Sequence, residues 1–257
     1  MTILIRSILP LFALTAFAPA FADRTCHDHL EFGDPGGGDI FICRTGYAVA
    51  YSCEYKAPLW VAYRLDQAAV DPSFNRQAFR EDVDGIDDAA CRASLEDYRL
   101  SGFDRGHMAP HASMDTTLAR ARDSFLLSNM SPQKPDFNRQ GWRLLEEYVR
   151  DVVADRDEIH VITGAIYEGL NLTIGRGEVR IPSHFYKILY DSETQEALAF
   201  LMLHEPFDFN ADIDGFVVPV DQAESFTGFG FLHLVPDAVE DVIEDRDTAA
   251  TVRWSVP

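Results

Sequence analysis

The 257-residue chain lacks several features that mark particular classes of protein. It shows no repeating period and no low-complexity segment, which excludes repeat solenoids and disordered arrays. Beyond the N-terminal region no apolar run approaches the length of a membrane-spanning helix, so a mature form is expected to be soluble. With 47% hydrophobic and 25% charged residues, the composition is that of an ordinary globular protein, and the length fits one domain or two small ones.

Lysine is scarce, and positive charge is outnumbered. Only three of the 22 basic residues are lysines, and the rest are arginines. The net charge of −20 and the pI near 4.6 argue against a nucleic-acid partner, because phosphate backbones attract basic surfaces. A local field at a site can nevertheless oppose the charge of the whole chain. Arginine is also the better bidentate ligand for phosphate.

The N-terminal residues have the pattern of a secretory signal peptide. Arg6 supplies a positive charge, residues 7–18 are largely apolar, and Ala-Phe-Ala at 20–22 fits the cleavage pattern. An uncleaved membrane anchor is the alternative, but two prolines and the short apolar run disfavour it. The sequence therefore predicts a signal peptide at 1–22 and a single exported domain at 23–257, in the periplasm or the medium.

Cysteines are few, and all lie in the first part of the mature chain. They are Cys26, Cys43, Cys53 and Cys91. An even number in an oxidising compartment indicates two disulfides, and four cysteines allow three connectivities among which the sequence does not choose. Cys26 with Cys43 and Cys53 with Cys91 is the pairing we adopt as a hypothesis. A zinc site is the alternative, and the absence of any CxxC pair disfavours it.

Residue patterns predict strands with interspersed helices. Apolar residues at helical spacing predict a helix at 138–153, and a short helix is expected from Asp221 to near Gly228. Aromatic and β-branched runs predict strands at 46–51, 59–65, 124–129, 158–167, 184–190, 197–204 and 215–220. Because helices and strands do not alternate strictly, the expected fold class is α+β with a mostly antiparallel sheet flanked by helices.

Four polar or flexible residues stand together in the stretch DRGH at 104–107. Asp, Arg and His are costly to bury unpaired, and nearby Gly and Pro favour a bend, so the stretch is either a polar loop or a site. Taken singly, Asp104 and Arg105 fit a surface ion pair of little energetic value. His107 alone fits a hydrogen-bonded loop histidine.

Further polar residues follow DRGH in a fixed order. Asn129 lies in LSNMSPQ, where a turn residue is the simplest interpretation. Asn138, Trp142 and Glu146 are four residues apart, so they share one face of the predicted helix. Singly, Asn138 fits an N-cap, Trp142 a packing residue and Glu146 a solvated carboxylate. Their joint order carries more information than any one of them.

In this order and spacing the chain resembles the DNA/RNA non-specific endonucleases, a family of ββα-metal nucleases. The motifs that carry the resemblance are FDRGH, SNMSPQ and N-x-x-x-W-x-x-x-E. The resemblance extends from about residue 47 to residue 231 and includes WVAYRL at 60–65, VITGAIY at 161–167 and IPSHFYKI at 181–188. It implies a ββα-metal site that cuts DNA and RNA to products with a 5′-phosphate.

The resemblance also implies roles for individual residues. His107 would be the general base, and its ordinary pKa suits that role near neutral pH. Asn138 would be the direct ligand of Mg²⁺, with Mn²⁺ as a substitute, and Glu146 would hold the ion through a water. Arg76 and Arg105 would clamp the phosphate as charge develops.

Other residues receive supporting or structural roles. Asn129 would orient the active-site loop or contact the phosphate, and Asp104 would support the loop. His111 could approach the site but is more simply an exposed loop histidine, and His184 and Lys187 are expected to be structural or at the substrate edge. Two alternatives stay open: a phosphodiesterase for small nucleotides with the same site, and an inactive extracytoplasmic binding scaffold. A homodimer is possible, and DNA and RNA are the expected partners.

Overall fold

A seven-stranded antiparallel sheet forms the centre of the molecule. The computed structural model describes residues 24–70, 74–207, 212–244 and 254–255. The strands are β1 (Ile40–Cys43), β2 (Ala48–Ser52), β3 (Ala57–Asp66), β4 (Asp104–His107), β5 (Met130–Gln133), β6 (Glu158–Ile166), β7 (Thr173–Ile174), β8 (Val179–Arg180), β9 (His184–Asp191), β10 (Glu196–Leu203) and β11 (Val217–Val218). The large sheet has the order β1-β2-β3-β6-β9-β10-β11, and β4-β5 and β7-β8 form separate pairs. The predicted antiparallel α+β class is confirmed.

Helices lie on both faces of this sheet. They are α1 (Leu95–Tyr98), α2 (His111–Met114), α3 (Leu118–Asp123), α4 (Arg143–Arg156), α5 (Val220–Thr227) and α6 (Asp237–Glu244). Short 3₁₀ segments span Gln67–Val70, Leu127–Asn129 and Ile213–Phe216, and a π-helical segment, Phe137–Trp142, leads directly into α4. The predicted α5 is confirmed, and Gly228 ends it in the left-handed conformation with φ 71°.

Two hydrophobic cores follow from the alternation of side chains along each strand. In β2, Val49 and Tyr51 point to one face, where they join the core beneath α4. Ala48 and Ala50 point to the other face, which α5, α6 and the segment around Leu30 cover. Because both faces are covered, β2 is buried at all five positions.

Helix α4 packs through the face that its apolar spacing predicts. The apolar residues on this face, Trp142, Leu145, Tyr148, Val149 and Val152, are all buried. The helical stretch begins at Phe137 with the π-helical segment and ends at Arg156, slightly longer than predicted. The side chain of Trp142 packs the start of α4 against the sheet, as expected, with its ring centroid 5.4 Å from that of Phe185.

Strands β4 and β5 form an antiparallel pair that precedes the long helix, which gives the ββα arrangement. The stretch DRGH is therefore a strand and not a bend, with His107 opposite Met130 and Gly106 opposite Ser131. The predicted strand at 124–129 is wrong. That segment ends in the 3₁₀ turn Leu127–Asn129, and the strand starts at Met130. The sequence of β5 does not alternate between apolar and polar residues, because it contains Pro132 and polar residues.

Two disulfides tie loops to the sheet with the connectivity adopted above. Cys26–Cys43 joins the N-terminal segment to β1, and Cys53–Cys91 joins the β2–β3 turn to the segment before α1. The signal peptide predicted at 1–22 lies outside the described residues. Within the described part of the chain, no helix has both the length and the apolar character needed to cross a bilayer.

Candidate active site

An open cleft of about 600 Å³ lies beside β4 and the start of the long helix. It brings together five of the residues that the sequence predicted for the site: Arg76, Arg105, His107, Asn138 and Glu146. Residues from three separate stretches of the chain thus meet at one place. The cleft also contains His111 and three arginines that sequence reasoning did not select.

The proposed base, His107, lies at the end of β4 and is mostly enclosed. Its Nε2 is buried and has no hydrogen-bond partner among the described residues. Burial, followed by the positive charge of Arg76 and the neighbouring His111, lowers the pKa of His107 to about 3. The imidazole is therefore neutral at physiological pH and has a free nitrogen able to accept a proton.

The ring of Phe125 contacts three cationic or titratable side chains of the cleft. Its buried ring lies edge-on to His107 at 5.0 Å between centroids and 5.1 Å from the ring of His111. The guanidinium of Arg76 lies 5.2 Å from the same ring. This contact holds Arg76 near His107, and no carboxylate among the described residues forms an ion pair with it. His111 begins α2 and is half-buried in the cleft, so its predicted position on an exposed loop is wrong.

On the other side of the cleft, Asp104 hydrogen-bonds two neighbouring side chains. It accepts two hydrogen bonds from Arg139, at 2.8 and 2.7 Å, and one from Asn138 Nδ2 at 3.0 Å. Burial alone would raise the pKa of Asp104, but the hydrogen bonds from Arg139 and Asn138 outweigh it and lower the pKa below its usual value. The expected pair of Asp104 with Arg105 is therefore replaced by a pair with Arg139.

The amide of Asn138 is fixed by this contact. Because only the amide nitrogen can donate to a carboxylate, Oδ1 is the oxygen left for another partner. Asn138 lies inside the π-helical segment and does not cap the helix, so the N-cap interpretation is wrong. Such π turns are frequent at functional sites, because they re-aim side chains within an otherwise regular helix.

Asn129 stands behind the cleft rather than in it. The side chain is fully buried and makes three hydrogen bonds of 2.9 Å. Its Oδ1 accepts from the backbone N–H of Ala109, and its Nδ2 donates to the carbonyls of Ala109 and Ser124. Of the two roles expected for Asn129, this geometry suits orientation of the loop after His107 and not contact with phosphate.

Glu146 lines the cleft and interacts electrostatically with Lys187, which is buried in the sheet beneath it. Lys187, in β9, has no exposed surface, donates to Thr163 Oγ1 and to Tyr63 Oη, and lies 4.9 Å from the ring of Trp142. Burial raises the pKa of Glu146, and the Lys187 ammonium opposes that rise. The structure thus places Lys187 in the interior, in keeping with a structural role.

The electrostatics of the cleft oppose those of the chain as a whole. Five arginines line it against two carboxylates: Arg76, Arg105, Arg139, Arg143 and Arg150 against Asp104 and Glu146. The guanidinium of Arg105 is held over the rings of Phe79 and Tyr98, at 5.1 and 5.6 Å. A chain of net charge −20 therefore presents a locally positive surface, which is what a phosphate backbone requires.

Sequence reasoning missed three of these arginines although a signal was present. Arg139, Arg143, Glu146 and Arg150 follow one another at spacings of four, three and four residues, which places them on one helix face. Within the described residues, no cluster of three or more His, Cys, Asp or Glu is arranged to hold a metal ion. Any cation in this cleft must therefore rely on few protein ligands, such as the Asn138 oxygen.

Comparisons with known proteins agree with this geometry. The family model described as DNA/RNA non-specific endonuclease matches residues 27–238. This chain belongs to that family. It is 31% identical over 219 residues to Nuclease C1 of Cunninghamella echinulata var. echinulata, covering 79% of this chain and 86% of the relative. Mitochondrial Endonuclease G of Bos taurus is 30% identical over 215 residues, covering 79% of this chain and 72% of the relative.

A solved structure shows the same fold. The crystal structure described as the EndoG/EndoGI complex superposes with a TM-score of 0.76 at 26% identity, covering 81% of this chain and 91% of that chain. Membership of the family makes this chain a metal-dependent nuclease, and its sheet with the ββα site is the family's fold. The inactive-scaffold alternative is thereby set aside.

Proposed function

We propose that this chain is an exported, Mg²⁺-dependent endonuclease that hydrolyses phosphodiester bonds of DNA and RNA to 5′-phosphate products. One observation carries the proposal. A neutral histidine with a free buried nitrogen, an asparagine oxygen and five arginines meet in a single open cleft. This combination supplies a base, a place for a hard cation and a binding surface for phosphate.

His107 is the general base of the proposed reaction. It takes a proton from the water that attacks the phosphorus atom. In the free protein burial, with a smaller contribution from Arg76 and His111, lowers its pKa to about 3, which makes it a weak base. A bound phosphate brings negative charge into the same space, and this favours the imidazolium form. The base therefore becomes stronger when substrate is present.

The arginines bind the phosphate and stabilise the charge that develops on it. Arg76 and Arg105 are held by aromatic rings, and their guanidinium groups keep donors free for phosphate oxygens. Arg150 extends the positive surface along the helix, and Arg143 lies between Arg139 and Arg150 in an ion pair with Glu147. From Arg139 to Arg150 the helix axis covers roughly 16 Å, at about 1.5 Å per residue.

That length favours a polymer over a small nucleotide as the substrate. A mononucleotide would not reach from one end of this row of arginines to the other. In the proposed reaction the base, the cation and the arginines all act on the phosphate, and contacts to phosphate carry no sequence information. Cleavage of DNA and RNA alike is the expected consequence.

The residues of the cleft fit a hard divalent cation. Asn138 Oδ1 would be its direct ligand, and Glu146 would accept hydrogen bonds from water around the ion, since Mg²⁺ often keeps most of its waters. Mn²⁺ would fit the same oxygen ligands. When bound, the ion would neutralise negative charge on the phosphate and on the leaving 3′ oxygen.

Export is supported by the two disulfides, which form and persist in oxidising compartments. It is supported also by the N-terminal pattern of the sequence. N-terminal sequencing of the protein recovered from periplasm and from medium would identify both the compartment and the cleavage site. A protein that starts at Met1 in the cytosol would contradict the proposal.

The activity is tested by incubating the purified protein with supercoiled plasmid and with RNA, in Mg²⁺ and in EDTA. Cleavage of both polymers is expected only with the metal. His107→Ala is expected to lower kcat by about 10²–10⁴-fold, the usual contribution of a general base. Arg99→Ala is the matched surface control, because Arg99 is exposed, pairs with Glu96 and lies outside the cleft.

Two outcomes would overturn the proposal. Full cleavage in EDTA would show that the reaction does not require a divalent cation. Turnover of small phosphodiesters by a folded protein that leaves both polymers intact would identify the small-nucleotide phosphodiesterase instead.

A further inference from the structure

His204 lies directly after β10 and contacts the connection between β5 and the π-helical segment. It is 3% exposed, and both of its ring nitrogens are hydrogen-bonded. Nε2 lies 2.7 Å from the backbone nitrogen of Lys134, and Nδ1 lies 2.9 Å from the carbonyl oxygen of Pro182. None of the steps derived above uses this residue.

The two partners fix the ring's protonation. The backbone N–H of Lys134 can only donate, so Nε2 is the acceptor, and Nδ1 carries the hydrogen that it donates to Pro182. Burial lowers the pKa of His204 to about 4, against the raising effect of the Pro182 carbonyl, so the ring stays neutral at physiological pH. A neutral histidine in this tautomer satisfies both neighbours at once.

From Lys134 the connection continues to the candidate metal ligand. The carbonyl of Lys134 accepts from the backbone N–H of Asn138 at 2.9 Å. His204 is itself anchored to the large sheet, because its backbone N–H donates to the carbonyl of Ser183 at 2.8 Å. An unbroken series of hydrogen bonds, named here the His204 relay, therefore runs from the sheet through His204 and Lys134 to Asn138.

The relay acts on the connection between β5 and the π-helical segment, which strand pairing does not hold. Residues 134–136 connect β5 to the π-helical segment, and their position decides where Asn138 enters the cleft. Aromatic packing holds the ring itself in place. The rings of Phe137 and Phe185 lie 5.2 and 5.0 Å from that of His204, both edge-on.

We propose that His204 is a positioning residue that fixes the backbone of Asn138 relative to the sheet, so that the Asn138 amide oxygen is preorganised for a divalent cation. The inference rests on the proposed function of Asn138. Asp104 sets the rotation of the Asn138 side chain, and the His204 relay sets the position of its backbone. Hydrogen-bonded partners of metal ligands commonly change metal affinity when they are removed.

Two substitutions separate positioning from simple structural support. In His204→Gln the longer side chain carries its amide oxygen to the Nε2 position, so it can still accept from Lys134. In His204→Asn the shorter side chain can still donate to Pro182 but cannot reach Lys134. Each variant loses one hydrogen bond, so a merely structural role predicts similar loss of thermal stability and unchanged metal affinity in both.

The primary measurement is Mn²⁺ binding by calorimetry to the full metal-free protein, followed by kcat and KM on plasmid DNA. His204→Asn is expected to raise the Mn²⁺ dissociation constant and to lower kcat by about tenfold each, with KM unchanged. His204→Gln is expected to stay within about twofold of wild type in all three quantities. Glu205→Gln is the neighbouring control, because it removes only the half-exposed ion pair with Lys134 Nζ.

A second measurement needs no variant. Hydrogen exchange followed by NMR in the wild-type protein should show slow exchange of the Lys134 and Asn138 amides. Fast exchange at both would overturn the relay, and so would equal Mn²⁺ affinities in the Gln and Asn variants. If wild-type protein binds no divalent cation, the proposed function fails instead, and the two failures are thereby told apart.

Discussion

A single carboxylate, that of Asp104, organises two functional residues. It pairs with Arg139 through both oxygens and orients the amide of Asn138. The pair with Arg139 has little value for stability, because the Arg139 side chain is 68% exposed and solvent screens the interaction. Its contribution lies in the geometry of the cleft.

Asp104→Ala should therefore reduce activity far more than stability. We expect kcat to fall by about 10–100-fold, because Asn138 loses the contact that directs its oxygen. The free energy of unfolding should change by about 1 kcal/mol or less. Steady-state cleavage and urea denaturation measure the two quantities. Glu96→Ala removes an exposed pair with Arg99 outside the cleft and should leave both quantities unchanged; equal activities of the two variants would contradict the prediction.

His107 should give the protein a characteristic dependence of stability on pH. In the native state it binds a proton only near pH 3, because burial, Arg76 and His111 lower its pKa, whereas an unfolded histidine does so near its ordinary value. The unfolded state thus binds more protons between those values, and the free energy of unfolding falls as pH drops from about 6.5 towards 3. His107→Gln should flatten this slope.

Urea denaturation at several pH values between 4 and 7 checks the prediction. The difference in unfolding free energy between wild type and His107→Gln should shift in favour of the variant as pH falls. Parallel curves for the two proteins would show that His107 keeps an ordinary pKa in the native state.

At the scale of elements, the β4–β5 pair depends on one missing side chain. A Cβ on Gly106 would lie 2.1 Å from Cδ of Gln133, whose side chain is fully buried across the pair. A glycine is therefore needed at position 106 because it leaves space for Gln133. Gly106 does not adopt the left-handed backbone conformation. This close approach keeps Arg105 and His107 on a regular strand.

Gly106→Ala should destabilise the protein by about 1–3 kcal/mol, as overpacking in a core usually does, and should also lower activity. Gly215→Ala is the matched control, since a Cβ there meets no heavy atom within 4 Å. Thermal and urea denaturation of both variants are the measurements. Adding Gln133→Ala should recover part of the loss in Gly106→Ala, and strict additivity of the two changes would exclude the clash as its cause.

The elements that the sequence predicted are those with a strong periodic pattern. Strands β3, β6, β9 and β10 and helix α4 carry apolar runs that match their buried faces. The strand over DRGH and its partner at 130–133 escaped prediction because polar residues, Gly106 and Pro132 interrupt any alternation. Their strand conformation comes from pairing with each other and from packing on the sheet, which a single stretch of sequence does not display.

The candidate site was predictable to the extent that its residues form local motifs. His107, Asn138 and Glu146 lie in recognisable patterns, and the cleft contains all three. The relay through His204 was not predictable, because it joins residues 70 positions apart through backbone atoms. Helical spacing alone could have predicted that Arg139, Arg143 and Arg150 lie on the same helix face as Glu146.

At the scale of the whole molecule, one disulfide constrains the long connection between β3 and α1. Cys53–Cys91 closes a loop with a sequence separation of 38. In the chain-entropy description such a bond stabilises by about 3–4 kcal/mol. The connection that it ties down includes Arg76 and Phe79, which line the cleft.

Cys53→Ser/Cys91→Ser should therefore lower the free energy of unfolding by about 3–4 kcal/mol. It should also raise KM for nucleic acid, because Arg76 loses the constraint on its segment. Denaturation and steady-state kinetics measure the two effects. The Cys26–Cys43 pair, which lies away from the cleft, is the control: its double serine variant should lose stability without a change in KM. Equal KM values in all three proteins would rule out this link to Arg76.

The contrast between the cleft and the rest of the surface should govern whether a nucleic acid stays bound after it is cut. Five of the 22 basic residues line the cleft, which holds only two of the 42 acidic ones. A cut strand that leaves the cleft meets an acidic surface that repels it, so each cut requires a new encounter. The enzyme should be distributive rather than processive: early in a digestion many long molecules carry one cut each, and few are degraded completely.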